Sequence, residues 1–182
     1  VQVRGMVRAM DASFHAFGMG LLFSIVLVYL ILVAQFRSFV DPFLILLAIP
    51  PGLAGVVLTL AATGTTLNIM SLMGVIMMAG IVVSNSILIV EFTRRLVSED
   101  GVPLEEAVVR GVRVRLRPIL MTSLATLIGL VPMALKMGEG SESYAPLARA
   151  IIGGLALSVV GTVFLVPAAL LLAERRNASS NR

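Results

Sequence analysis

The sequence predicts an all-α membrane protein, with five transmembrane helices and one interfacial amphipathic helix. Three observations lead there. Apolar residues make up 58% of the 182-residue chain and charged residues only 13%, and the mean hydropathy is +1.03, outside the range of ordinary soluble domains. Stretches at about 15–35, 42–62, 68–92, 118–136 and 148–173 each supply the roughly 20 mostly apolar residues a spanning helix needs. Arginines collect in the segments after the first, third and fifth of these stretches, the asymmetry expected of a multi-pass protein.

Each element has its own marker. Arg4 and Arg8 precede the first span as in a signal peptide, but the apolar run is long for one and no small-x-small site follows at Val33-Ala34-Gln35-Phe36. Arg37 and Asp41 mark the first turn, and Asp41-Pro42 reads as an N-cap followed by a first-position proline of the second span. Pro50-Pro51-Gly52 should kink or break that span; broken helices form binding sites in some transporters, although a structural kink is the simpler reading. Thr63-Gly64-Thr65-Thr66 is a tight polar turn into the third span.

The 93–117 segment should carry the amphipathic helix. Leu104, Val108, Val112 and Leu116 recur every four residues, with Glu105 and Glu106 early and Arg110, Arg113 and Arg115 late. Such a helix rests at the headgroups as a connector or acts as a coupling or lipid-sensing element. Pro118 should open the fourth span as Pro42 opens the second. In the fifth span, Ala150, Gly154, Ser158 and Thr162 form a ridge of small residues on which another helix can lie closely. Residues 174–182 read as a polar, disordered tail.

The arginines also set an expected orientation. Arg37, Arg94, Arg95, Arg110, Arg113, Arg115, Arg117, Arg175, Arg176 and Arg182 fall on one side, against Arg4, Arg8, Lys136 and Arg149 on the other. By the positive-inside rule, the N-terminus faces out and the C-terminus faces the cytoplasm. Several chemistries are excluded on composition. There is no cysteine and only one histidine, His15, so neither a thiolate site nor an imidazole cluster is available for zinc. The net charge of +4, without Trp and with two Tyr, lacks the aromatic platforms that nucleic-acid binding uses. No cofactor, metal site or catalytic residue is expected.

The candidate functional residues are polar groups within the spans, because polar groups there are costly. No Asp, Lys or Arg falls in the middle of a span, so the chain has no obvious proton carrier of its own. Glu91, at the inner end of the third span, precedes Arg94 and Arg95 by three and four residues and suits an interfacial ion pair. Ser84, Asn85 and Ser86 are consecutive on that helix. The Asn85 amide must face protein or water, since its own helix cannot satisfy it as easily as a hydroxyl. Thr122 and Thr126 share a face of the fourth span with Gly129, and Ser123 lies beside it. Two readings of this set stand side by side: a hydrogen-bonded helix pair, and a proton or ion pathway completed by charges on another segment.

Five motifs, taken in order, then identify a resemblance. They are Leu32-Val-Ala-Gln-Phe-Arg-Ser-Phe39 with Pro42 and Ile49-Pro50; Gly80-Ile-Val-Val-Ser-Asn-Ser-Ile-Leu-Ile-Val-Glu91; Arg115-Leu-Arg-Pro-Ile-Leu-Met-Thr-Ser123; Gly138-Glu-Gly-Ser141; and Pro146-Leu-Ala-Arg149 with Ile152-Gly-Gly154. Over nearly its whole length the chain resembles the C-terminal transmembrane half of the resistance-nodulation-division (RND) efflux permeases, acriflavine-resistance or multidrug type. The resemblance implies that the spans are helices eight to twelve of a twelve-helix, proton-driven inner-membrane transporter, not an enzyme. Residues 1–14 then end a periplasmic region, and the start at Val1 without Met fits a fragment.

The implied partners are the lipid bilayer, the missing N-terminal half, two further copies in a homotrimer, and a periplasmic adaptor with an outer-membrane channel. In this family a pair of aspartates on the fourth helix takes up protons, aided by a lysine on the tenth helix and a threonine on the eleventh. The threonine corresponds to Thr122. The lysine position is Ser84 here, followed by Asn85, so Ser84, Asn85 and Thr122 are the leading relay candidates, with Ser86, Glu91 and Thr126 behind them. A heavy-metal exporter of the same superfamily and a protein-export, translocase-accessory relative are the alternative functions, and this segment leaves the substrate open.

Overall fold

The computed structural model describes the backbone of residues 2–180 and the side chains of residues 12–172. All its regular elements are helices: α1 (Gln2–Phe36), α2 (Val40–Leu46), α3 (Ile49–Ala62), α4 (Ile69–Ser98), α5 (Leu104–Ala134) and α6 (Ser141–Ser180). Five segments are long and apolar enough to cross a membrane: Ala12–Phe36, Val40–Ala62, Ile69–Ser98, Leu104–Ala134 and Ser141–Leu172. The side chains of Arg4, Arg8, Arg175, Arg176 and Arg182 lie outside the described residues.

The second span is broken rather than merely kinked. Helix α2 stops at Leu46 and α3 restarts at Ile49, with Pro50 and Pro51 in its first turn, where their missing N–H groups cost no helical hydrogen bond. Asp41 does not cap α2. The N-cap is Phe39, and it is the Ser38 hydroxyl that accepts from the Val40 and Asp41 amides at 3.3 and 3.5 Å. The Asp41 side chain is buried and meets the Arg94 guanidinium at 2.6 Å. A charge-assisted bond to a guanidinium is stronger than one to a neutral amide, which explains why the carboxylate turns from its own helix to α4.

Helix α4 begins with a reciprocal capping box: Ser71 N donates to Asn68 Oδ1 and Asn68 N to Ser71 Oγ, both at 2.9 Å. The expected amphipathic helix and fourth span are one continuous helix, α5, with Pro118 inside it rather than at its start. Proline forfeits a single backbone bond there, and spanning helices tolerate that. The apolar stripe also faces protein. Val108 is buried in the main core with Leu104 packed against it, and Gly111 lies so close to Thr93 of α4 that a Cβ would come within 2.5 Å of the Thr93 hydroxyl. At roughly 1.5 Å per residue, a helix of this length exceeds the ~30 Å hydrocarbon thickness.

Helix α6 is the hub, contacting α3, α4 and α5. The predicted ridge of Ala150, Gly154, Ser158 and Thr162 is buried throughout. Gly153 sits against Gly55 and Thr59 of α3, with no room for a Cβ on either glycine. On the α4 side, a Cβ on Gly74 would stand 2.7 Å from the Leu147 carbonyl and 2.9 Å from Ala150 Cβ. The backbone of α6 runs through Ser180 where a disordered tail is expected; Ala173–Arg176 contains no glycine or proline to stop it. By contrast α1 contributes little to the core: Leu32 is buried, while Met19, Phe23, Leu30 and Ile31 are exposed.

Gly153→Val tests this crossing. We expect a loss of about 1–3 kcal/mol from overpacking against Gly55 and Thr59, measured as a lowered unfolding midpoint by circular dichroism in detergent, whereas Gly129→Ala, inside α5 at a position with no neighbour within 4 Å, leaves the midpoint where it is or raises it through helix propensity.

Candidate functional site

Helices α4 and α5 diverge around an open groove of about 560 Å³. Its polar lining is Ser84 and Asn85 from α4 with Thr122 and Thr126 from α5, and Pro118 and Met77 are among its apolar walls. Helical spacing accounts for both sides: 77, 81, 84 and 88 lie on one face of α4, and 118, 122 and 126 on one face of α5. Four of the six candidate residues are thus brought together. Ser86 turns the other way, fully buried, and donates to the Val82 carbonyl at 2.9 Å. Glu91 is exposed and outside the groove.

The expected ion pair of Glu91 with Arg94 and Arg95 does not form. Arg94 reaches Asp41 instead, and Arg95 Nε donates to Glu99 Oε2 at 2.7 Å. A buried carboxylate outcompetes an exposed one for Arg94, because their attraction is less screened by water. Asp41 is the residue that sequence reasoning missed. Its signal was an acid at the start of an apolar run, which resembles an N-cap until the distant Arg94 is brought beside it.

The groove has a defined hydrogen-bond character. Thr122 Oγ1 donates back to the carbonyls of Pro118 and Ile119 at 3.0 and 3.1 Å, and Thr126 Oγ1 donates to the Thr122 carbonyl at 2.9 Å. With their protons committed to the helix, these hydroxyls retain lone pairs as acceptors. The Asn85 amide has no hydrogen-bond partner among the described residues, although the residue is only 8% exposed. It therefore offers two N–H donors and a carbonyl. No lining residue is ionisable. Such a wall can orient a proton-bearing group or pass a hydrogen bond along, but it cannot hold the proton at neutral pH.

A second, apolar groove of about 410 Å³ lies on the other side of α4, against α1, and shares Gly80 and Ser84 with the first. Nothing lies within 4 Å of the Cβ position of Gly80. The middle of α4 is therefore open on both flanks, with Ser84 between them.

The family model described as AcrB/AcrD/AcrF matches residues 2–174. The fold is similar to an X-ray crystal structure of a heavy metal efflux pump, with a TM-score of 0.81 and 33% sequence identity across 92% of this chain. The chain spans 16% of the length of that protein.

Because the sequence has no cysteine, single replacements test the groove without background. We expect Ser84→Cys and Thr122→Cys to react readily with a membrane-permeant maleimide and Ser86→Cys to remain unmodified. Equal labelling of all three, followed by mass spectrometry, would contradict this placement.

Proposed function

Since the chain belongs to the AcrB/AcrD/AcrF family of RND permeases, a family of transporters, we propose that it forms part of the transmembrane engine of a proton-driven exporter of drugs or other toxic small molecules. In this reading it supplies helices eight to twelve of an inner-membrane permease, with its N-terminus periplasmic and its C-terminus cytoplasmic. The full permease works as a homotrimer with a periplasmic adaptor and an outer-membrane channel. The single observation that carries the proposal is the α4–α5 groove. It presents Ser84, Asn85, Thr122 and Thr126 on one open wall and contains no proton-binding group, so the acceptor has to come from another segment.

The wall suits a carboxyl group that alternates between charge states. When the acceptor is ionised, the Asn85 N–H groups donate to its oxygens. When it is protonated, the acid O–H donates to a hydroxyl oxygen of Thr122 or Thr126, whose own protons are turned into the helix. The proton itself stays on the acceptor and leaves to water when the acceptor is exposed to the cytoplasm. Polar but uncharged, the wall changes partners between the two states without a change of its own charge. In this reading Ser84 stands where the best-known relatives have a lysine, so no cation in the groove wall holds the acceptor's pKa down, and a neutral donor and water take its place.

A second reading is export of heavy-metal ions, favoured by the 33% identity to a heavy metal efflux pump. The two readings differ in substrate and share the groove chemistry. Resistance conferred by the full-length permease on a drug-sensitive and a metal-sensitive host separates them.

Two outcomes are expected in the full-length permease. Asn85→Ala lowers proton-coupled efflux by at least about fivefold, the effect of one lost buried hydrogen bond, and unchanged drug or metal resistance would remove Asn85 from the mechanism. Ser84→Lys places a cation beside the acceptor, which favours its ionised form and lowers its pKa, so the pH profile of efflux moves toward acid by about one unit or more. A profile that stays in place would show that no acceptor docks at this wall.

A further inference from the structure

At the end of the bundle opposite the 99–103 connection, the 63–66 turn, the start of α6 and the 135–140 connection enclose a polar cleft of about 350 Å³. Its charged groups are Lys136, Arg149 and Glu142, and three threonines of the turn complete one side. Arg149 is half-buried and fixed at two points, with Nε on the Ala134 carbonyl at 3.0 Å and one terminal nitrogen on Thr65 Oγ1 at 2.6 Å. That hydroxyl is itself tied to Thr63 Oγ1 at 2.9 Å. The guanidinium is thereby oriented and still has N–H groups to spare.

Lys136 is held in place by its backbone. Its amide donates to the Met133 carbonyl at 3.2 Å, and its φ of 61° is in the left-handed region, where glycine is the usual residue after a helix. A lysine in that position accepts a backbone cost and brings an ammonium to the rim of the cleft. Among the described residues, neither Lys136 nor Arg149 has an acidic partner. Two cations and one carboxylate thus converge at the end of a spanning bundle, where headgroups lie.

We propose that this cleft binds a phosphate group carrying a primary ammonium, as in the headgroup of phosphatidylethanolamine. Arg149 and Lys136 take the phosphate oxygens, Arg149 with its unused N–H groups and Lys136 as a mobile point charge. Glu142, which would repel a bare phosphate, faces the ammonium. A lipid and a soluble phosphate share the first half of this chemistry, and the acyl chains distinguish them by lying along the apolar helix faces below the cleft.

The test uses the full-length polypeptide containing this chain, delipidated in detergent, with bound ligand counted by native mass spectrometry. The probes are phosphatidylethanolamine, phosphatidylcholine, diacylglycerol and inorganic phosphate. Phosphatidylethanolamine is expected to bind most tightly, diacylglycerol to bind weakly, and millimolar inorganic phosphate to leave the lipid in place. Lys136→Gln, which leaves the Arg149 contacts intact, lowers phosphatidylethanolamine affinity about fivefold, the effect of one interfacial cation. Glu142→Gln removes the preference over phosphatidylcholine. Because Arg149 also satisfies the end of α5, Arg149→Gln is read only together with its unfolding midpoint. Equal binding of diacylglycerol, displacement by inorganic phosphate, or a Lys136→Gln variant matching the unaltered protein would overturn the proposal.

Discussion

The close crossing of α6 with α3 and α4 is the contact on which the rest of this fold depends. In a bilayer, apolar side chains gain little by leaving lipid for protein, so helices associate through tight packing and hydrogen bonds rather than through water exclusion. Glycine provides that tightness here. Gly55 against Gly153 brings two backbones into contact, and Gly74 does the same against Leu147 and Ala150. With α3 and α4 seated on one helix, the remaining elements are placed by reference to it: α5 against α4 and α6, and α2 beside α4 through Asp41 and Arg94.

This arrangement explains why α4 can expose polar groups at its centre. One side of the helix is committed to α6, where Met78, Val82 and Val75 are buried. Ser84 and Gly80 lie on the other side, between two grooves. Asn85 sits at the border, mostly buried yet reaching the groove, which places an amide in a position of low dielectric where each hydrogen bond it makes is strengthened. The same helix therefore serves as scaffold on one face and as polar surface on the other.

Much of this was legible in the sequence because period and composition act locally. The apolar stretches, the Ala150–Thr162 ridge and the interruption of the second span depend on the residues within one helix: five spanning segments are found, the ridge is buried, and the second span breaks just before Pro50-Pro51, while the fourth begins at Leu104 rather than at Pro118. The gathering of Ser84, Asn85, Thr122 and Thr126 was foreshadowed only as two polar faces; their meeting depends on how α4 and α5 diverge. What escaped was partner choice. Asp41 resembles a cap because Pro42 follows it, and Glu91 resembles a partner for Arg94 and Arg95 because it is three and four residues away. Both inferences fail for one reason: Asp41 and Arg94, separated by 53 positions, meet across helices, and local spacing carries no information about that encounter. Similarly, Pro118 signals a helix start on local grounds, while the packing of Val108 and Gly111 against α4 carries the helix through it.

The place of α6 in chain order has a consequence for biogenesis. The helix against which the others pack is the last of the six to be synthesised. Until it leaves the ribosome, Gly55 and Gly74 have no surface to close upon, whereas the Asp41–Arg94 pair and the seating of Gly111 on Thr93 already join α2, α4 and α5. The glycine-mediated crossings of this segment are thus its last to form, completed by the arrival of one helix.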